Sequence, residues 1–433
     1  MKRAKSRSRA SGKSAANMSL QDMFRFLHCE TSATGTMFCT LAKRALDFGE
    51  NFLAYDLAER IHSKRPAALL EKTRIQALAL ARSGSLTRAA ELVRTLPDVD
   101  DTEIVGLKGR IYKDMAVACA NPRKRRELFR LSADTNLGIF RKKPQYYNGI
   151  NAATCFYMAG DVATARNLVS KSVLPMCRAE PDDLWRSATL GECSILLGND
   201  KSALTYYKQS VDRAGREGML GSLSSILRQL HILASVRRSH AERILSALEL
   251  PAVAVFSGHV IDEDGRADER FPASAIPTVS AHIRQTLTDG GIRVAYSSCA
   301  CGSDIIFIEE LVRLGGECHI VPPFPIETTI RKCVNIAPGD WERRLKKALR
   351  SPHVHLHDPE CDETGERSDD AAYGFANRRI LGMALLKAQA SYLPVRGICV
   401  WDREDSGLTG NTASAVALWK ANRIPTTIIS PKE

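Results

Sequence analysis

The chain has 433 residues, more than one hydrophobic core organises, so two or three domains are expected. Its 44% hydrophobic and 25% charged residues are ordinary globular values, and no run approaches about eighteen apolar residues without a charge, which argues against a membrane-spanning helix. Of the formal charge of +12, six positive charges belong to Lys2, Arg3, Lys5, Arg7, Arg9 and Lys13. The reading is therefore a solvated basic tail over residues 1–18 on a mildly basic body, with neither a nucleic-acid surface nor a membrane partner expected.

The opening MKRAKSRSRASGKSAAN has no apolar segment behind its basic residues. The twelve cysteines form no CxxC pair and no regular framework. Both features predict a cytoplasmic chain with reduced thiols.

From 36 to 240 the apolar residues recur at helical spacing, which predicts an all-helical domain over 19–248. Gly49, Gly84, Gly160 and Gly198 each fall between two helical runs. Five residues after each stands Ala54, Ala89, Ala165 or Ala203, and seven before each stands Ala42, Ala77, Ala153 or Gly191. Small residues on two helices let their axes approach, and the glycine between them ends the first helix. The glycine spacings of 35, 76 and 38 residues fit a repeat of mid-thirties length with one degenerate unit in the long gap. This pattern, with Pro66 twelve residues after Ala54, resembles the tetratricopeptide repeat and implies an α-solenoid whose concave face binds a protein partner. GLKGRIYKDMAVAC at 106–119 and KPQYYNGINAATCFYMAGD at 143–161 are similar to the TRAF-binding-like regulatory region of the apoptosis-signal-regulating kinases. No Gly-rich loop with a strand lysine, no HRD and no DFG is present, so the resemblance implies a scaffold rather than a kinase.

At Pro251 the texture changes. Apolar runs at 252–256, 293–297, 318–324, 353–357, 396–401 and 425–430 alternate with helical patterns near 275–289, 303–314, 339–350, 370–390 and 410–422. Strands separated by long helices pair in parallel, so 249–433 is expected to form a doubly wound, Rossmann-like sheet. The fold class is thus α + α/β. In such sheets the ligand crevice lies beyond the C-terminal strand ends.

Three loops fall there: SGHVIDEDGR, with Ser257, Gly258 and His259; SSCACGSDIIFIEEL, with Gly302, Ser303 and Asp304; and WDREDSGLTGNTAS, with Thr409, Gly410, Asn411 and Thr412. Small residues before a helix start favour a phosphate, with Ser303 or Asp304, and Thr409 or Thr412, as helix caps and Gly302 and Gly410 leaving room for a ligand. FSGHVID, ACGSDIIFIEELVRLGGECHIVPPF, GDWERRL and GNTASAVALWKANRIPTTIIS together resemble the SLOG superfamily, which implies binding of a nucleotide or nucleotide-derived metabolite. The hydrolases of that superfamily use a PGGxGTxxE loop with a catalytic glutamate. GLTGNTASAV has Asn411 at the second glycine and no glutamate, leaving Glu309 and Glu310 as the catalytic candidates for a ribosyl hydrolase.

Smaller signals are HVHLHD, which places His353, His355 and His357 on one strand face; the acidic loop 358–370; Arg378 and Arg379 on a helix; and GDWERRL, with Asp340 as a cap over Trp341. The histidine set reads as a half-exposed polar face, and no metal is expected. The resulting expectation is a signalling regulator in which the solenoid holds a protein partner and the sheet senses a nucleotide-derived ligand, compatible with a homo-oligomer. An N-ribosyl hydrolase and a pure interaction scaffold are the alternatives.

Overall fold

The computed structural model describes residues 18, 20–28, 34–96, 101–217, 219–236, 239–263, 265–359, 369–404, 407 and 410–432. Nearly all of the basic tail, Thr409 and most of the acidic stretch 358–370 lie outside them. The chain divides into two compact units, built mainly from Met23–Glu249 and Leu250–Glu433. No helix among the described residues is long and apolar enough to cross a membrane.

The first unit is helical. After α1 (Leu20–His28) come α2 (Gly35–Asp47), α3 (Asn51–Glu59), α4 (Pro66–Arg82), α5 (Leu86–Arg94), α6 (Thr102–Ala118), α7 (Pro122–Lys142) and α8 (Tyr146–Ala159). α9 (Val162–Leu168) runs through a π-turn into α10 (Leu174–Ala179), followed by α11 (Leu184–Leu197), α12 (Asp200–Glu217), α13 (Leu220–Ala234) and α14 (Ala241–Ser246). Successive helices form hairpins, among them α2 with α3, α4 with α5, α8 with α9 and α11 with α12. Gly49, Gly84, Gly160 and Gly198 close the first helix of each at φ of 78°, 84°, 99° and 83°, a left-handed conformation that costs an L side chain about 1 kcal/mol or more. The spaced alanines sit at the crossings: Ala42, Ala54, Ala77, Ala89, Ala153, Ala165 and Ala203 are all fully buried. At Gly191 a Cβ would stand 2.8 Å from the Tyr207 ring.

The degenerate unit is α6 with α7. No glycine joins these helices; Asn121 caps α7 by accepting the N–H groups of Arg123 and Lys124. The close approach moves to mid-helix, where a Cβ on Gly109 would stand 2.2 Å from Asn136 and the Ser132 hydroxyl donates to the Gly109 carbonyl at 2.6 Å. Pro66 is the first residue of α4, where its missing N–H is harmless.

The second unit is an open, all-parallel sheet of β1 (Ala252–Gly258), β2 (Ile292–Ser297), β3 (Glu317–Ile320), β4 (Val354–Leu356), β5 (Val395–Val400) and β6 (Thr426–Ile429), in the order β4-β3-β2-β1-β5-β6. The connecting helices are α15 (Ile276–Asp289), α16 (Ser303–Arg313), the short α17 (Ile326–Thr329), α18 (Trp341–Ala348), α19 (Asp369–Ser391) and α20 (Thr412–Ala421). Apart from α17, each of these strands and helices lies on a stretch expected from the apolar pattern; β3 stops before Pro322 and Pro323, which cannot donate to a ladder.

Alternate residues of each strand face opposite sides. Ala254, Phe256, Ala295, Ile320 and Ile398 form one core with Ile283 of α15, Phe307 of α16 and Leu345 of α18, the Phe256 and Phe307 rings stacking at 4.0 Å. α19 packs along β1 and β2, and α20 brings Trp419 onto Gly397 of β5. The strand order reverses beside β1, which pairs with β2 on one side and β5 on the other. That reversal positions the site described next.

Candidate functional site at the strand-order reversal

Beyond the C-terminal ends of β1 and β5, the two following loops are fastened by one ionic network. The His259 N–H donates to the Val400 carbonyl, continuing the ladder by one residue. The His259 ring places Nε2 2.9 Å from Asp402 Oδ1 and 3.2 Å from the Asp402 backbone N–H. Arg270 then clasps Asp402 with Nε at 2.7 Å from Oδ2 and Nη2 at 3.0 Å from Oδ1. Asp262 closes the loop after β1 by accepting the N–H groups of Arg270 and Phe271. The Asp402 side chain is 2% exposed; burial alone would raise its carboxyl, but Arg270, the Glu404 N–H and His259 hold it well below the usual carboxylate range. Burial pushes the His259 imidazole down against the opposing pull of Asp402, so the neutral ring is favoured. Beside this network Arg403 has φ of 71°, a left-handed position rare for a non-glycine residue.

Asp304 lies at the start of α16. It is 5% exposed, Oδ2 accepts the Ala300 N–H at 3.1 Å, and Oδ1 has no hydrogen-bond partner. Burial raises its carboxyl to about 7, against the backbone N–H groups of Ala300 and Gly258. This acid is poised to change protonation near neutrality, and its protonated form can donate to a ligand oxygen.

The glycines and caps differ from expectation in an instructive way. Gly302, at φ of 94°, does not face open space: a Cβ there would stand 2.5 Å from the Ile261 nitrogen, because the loop after β1 lies against it. Gly258 is small for the same reason, since its Cβ would meet the Ser303 hydroxyl at 2.2 Å. Ser303 does not cap α16; its hydroxyl donates to the His259 carbonyl at 2.7 Å and latches the two loops together. Asp304 does not cap it either, its side chain turning back to Ala300. Gly410 packs on α19, where a Cβ would stand 2.3 Å from that of Tyr373, and its carbonyl accepts from Asn377. The cap of α20 is Asn411, which accepts the Ser414 N–H at 2.8 Å, and Thr412 is the first, buried residue of the helix. Ser257 is the penultimate residue of β1, paired with Cys399. The structure thus joins Gly258, His259, Ser303 and Asp304 directly, and the last loop reaches them through Asp402. Sequence reading missed Asp402 and Arg270; the available signal was an acid two residues beyond β5.

Both catalytic candidates are engaged elsewhere. Glu309 accepts two hydrogen bonds from Arg344 of α18, and Glu310, 2% exposed, accepts from Ser280 and Arg284 of α15 and from Arg313. Arginine pairing occupies the carboxylate oxygens of both at helix contacts, and the cavity that Glu309 lines with Arg344 of α18 includes none of the expected ligand-binding residues of the three loops. Asp340 also differs from its expected role: its carboxylate pairs with Arg343 and makes no cap hydrogen bond, while Trp341 is buried beneath as expected.

The histidine run is likewise redistributed. His353 is exposed ahead of β4, so only His355 and His357 join the face, where they meet His319 and Glu317 of β3. His319 lies 2.8 Å from His357 and 2.6 Å from Glu317, and His355 lies 3.6 Å from Glu317. Glu317, His319 and His355 have donor atoms within 4.8 Å of one another and form the set among the described residues that can hold a metal ion. Burial would raise Glu317, but Lys387 of α19 and the imidazoles hold it far below its usual range. Burial and the neighbouring His319 and His355 push His357 down to about 3. With the charge of Lys387 acting on it, Glu317 is a carboxylate set among three imidazoles.

A family model described as Tetratricopeptide Repeats-Sensor matches residues 53–156, from α3 to α8. Among solved structures, the chain is similar to TTC0263, a thermophilic TPR protein of Thermus thermophilus, at 15% identity over 46% of this chain and 99% of that one, with a TM-score of 0.37. It is also similar to LpoA of Haemophilus influenzae, at 11% identity over 96% of this chain and 78% of that one, with a TM-score of 0.23. No curated protein matches the chain. The family match supports a tetratricopeptide-like region within the helical unit, in agreement with its glycine and alanine spacing.

Proposed function

We propose that the protein is a cytoplasmic signalling regulator in which the repeat unit engages a protein partner and the sheet unit, read as Rossmann-like, senses a nucleotide-derived ligand. The observation that carries the ligand reading is the meeting of β1 and β5 at the order reversal, with the buried, neutrally titrating Asp304 beside the latch of Ser303 and the ionic network of His259, Asp402 and Arg270. The name of the family matching the repeats, which ends in Sensor, agrees with such a role, and repeats of this type provide surfaces for protein partners. The likeness of the sheet unit to the SLOG superfamily supplies the ligand class. Binding is favoured over ribosyl cleavage because Glu309 and Glu310 are held by arginines.

The test is thermal melting of the full chain with NAD, ADP-ribose and cyclic or linear nucleotides, with product analysis of the same samples. A shift without turnover, lost in Asp304→Asn, is the expected result. Turnover would replace the sensor by the hydrolase, and a shift indifferent to Asp304→Asn would remove the ligand from this crevice. Bulky substitutions at Gly302 are poor probes, since they collide with the protein's own loop.

A further inference from the structure

The repeat unit encloses a cavity of about 460 Å³ between α4, α6, α8, α11, α12 and α13. Five cationic side chains line it against two carboxylates, Glu103 and Glu192. Some of that charge is spoken for: Arg74 is held by Glu71, and Lys113 donates to Asn151 and Gln229. Arg228 lies 2.6 Å from the buried Asp114.

Arg82 and Arg110 are different. Arg82 donates to the Leu46 carbonyl, and among the described residues no carboxylate pairs with it within ion-pair distance. Arg110 has Asp114 only at 3.7 Å, and its buried Nε makes no hydrogen bond. Burial and the adjacent Arg110, with Arg228 adding to it against the pull of Asp47, push the Arg82 guanidinium down to about 10. Like charges are thus gathered in a partly desolvated space and left short of acceptors, an arrangement that costs stability until an anion enters. Among the lining residues, Tyr147 and Trp185 are 49% and 41% exposed, large aromatic faces for an apolar ring.

We infer that this cavity is a second ligand site, which takes a nucleotide by pairing its phosphates with Arg82 and Arg110 and stacking its base on Tyr147 or Trp185. The volume suits one small molecule rather than a length of extended peptide, and guanidinium forks match phosphate oxygens in pairs. The site lies wholly within the repeat unit and is independent of the sheet crevice.

Calorimetric titration of the full chain with ADP, adenosine and inorganic pyrophosphate tests it. ADP is expected to bind; adenosine and pyrophosphate, each carrying half of the recognition, are expected to bind more weakly. Arg82→Met and Arg110→Met should each weaken ADP by about tenfold or more, the loss of one charge-assisted pair, and Tyr147→Leu should weaken adenosine as well as ADP. Asp304→Asn should leave this binding unchanged, which separates it from the sheet site. Should a substitution unfold the repeats, circular dichroism reveals it, and Arg110→Lys, which keeps the charge but loses the fork, replaces it with an expected partial loss. Absence of ADP binding, binding untouched by both arginine variants, or capture of an acidic peptide at Arg82 and Arg110 in place of ADP each overturns the proposal.

Discussion

The crevice of the sheet unit and the cavity of the repeat unit both gather buried charge, and they dispose of it in opposite ways. At the crevice, Asp402 is met by Arg270 through two hydrogen bonds and by His259, and the spaces beside Gly258, Gly302 and Gly410 are filled by the protein's own atoms. In the cavity, Arg82 and Arg110 stand close enough to repel, with the Arg110 Nε unbonded. Polar residues in a fold therefore divide into those that complete the chain and those left for something else to complete. Glycine motifs do not distinguish the two; unbalanced charge does.

The comparison breaks most readily at Arg270. Arg270→Ala leaves Asp402 buried without its main partner and should cost about 3–5 kcal/mol, read as lost hydrogen-exchange protection confined to the sheet unit. A loss below about 1 kcal/mol would mean that the network is not the fastening described. Asp304 gives the next largest effect. Below about pH 4 it is protonated folded or unfolded; between there and about 7 the unfolded chain releases a proton that the fold retains, so stability falls as pH rises and levels off above. Asp304→Asn should flatten that slope, and an unchanged profile in urea melts at pH 4 to 8 would contradict it.

Two glycines of like φ separate conformation from crowding. Gly302→Ala should cost about 2–4 kcal/mol because a loop fills its space, whereas Gly84→Ala, with nothing within 4 Å, should cost about 1 kcal/mol. Equal losses in chemical denaturation would put backbone strain alone in charge of both. The smallest effect carries the opposite sign: Arg110→Met should raise the stability of the unliganded protein by up to about 1 kcal/mol by relieving like-charge crowding, a gain that thermal melting should detect. A loss would show that Arg110 completes the chain after all.

The repeats were legible because helix period and hairpin length both act locally, so Gly49 and Ala54 report the same crossing from either side. The alternating strands and helices were legible for a similar reason. The site was less so. The loops carrying Gly302 and Gly410 were found, yet their occupants, Ile261 and Tyr373, come from elsewhere in the chain, and nothing local foretells them. Asn411 could have been named as the cap from its residue type and its place three before Ser414. Arg270 and Asp402 stand 132 residues apart, and the cavity draws on six helices, so neither has a signature in any window.

The pairing of β1 with β5 also sets an order of events. β1 finds β2 after one crossover, but the β5 ladder and the bond from Arg270 to Asp402, 132 residues apart, must wait for about a hundred residues beyond β2. Closing so long a loop is entropically slow to be rewarded, while the repeat hairpins need only neighbours in the chain. During synthesis the repeats can assemble early, and the crevice exists only once the chain has been made as far as Asp402.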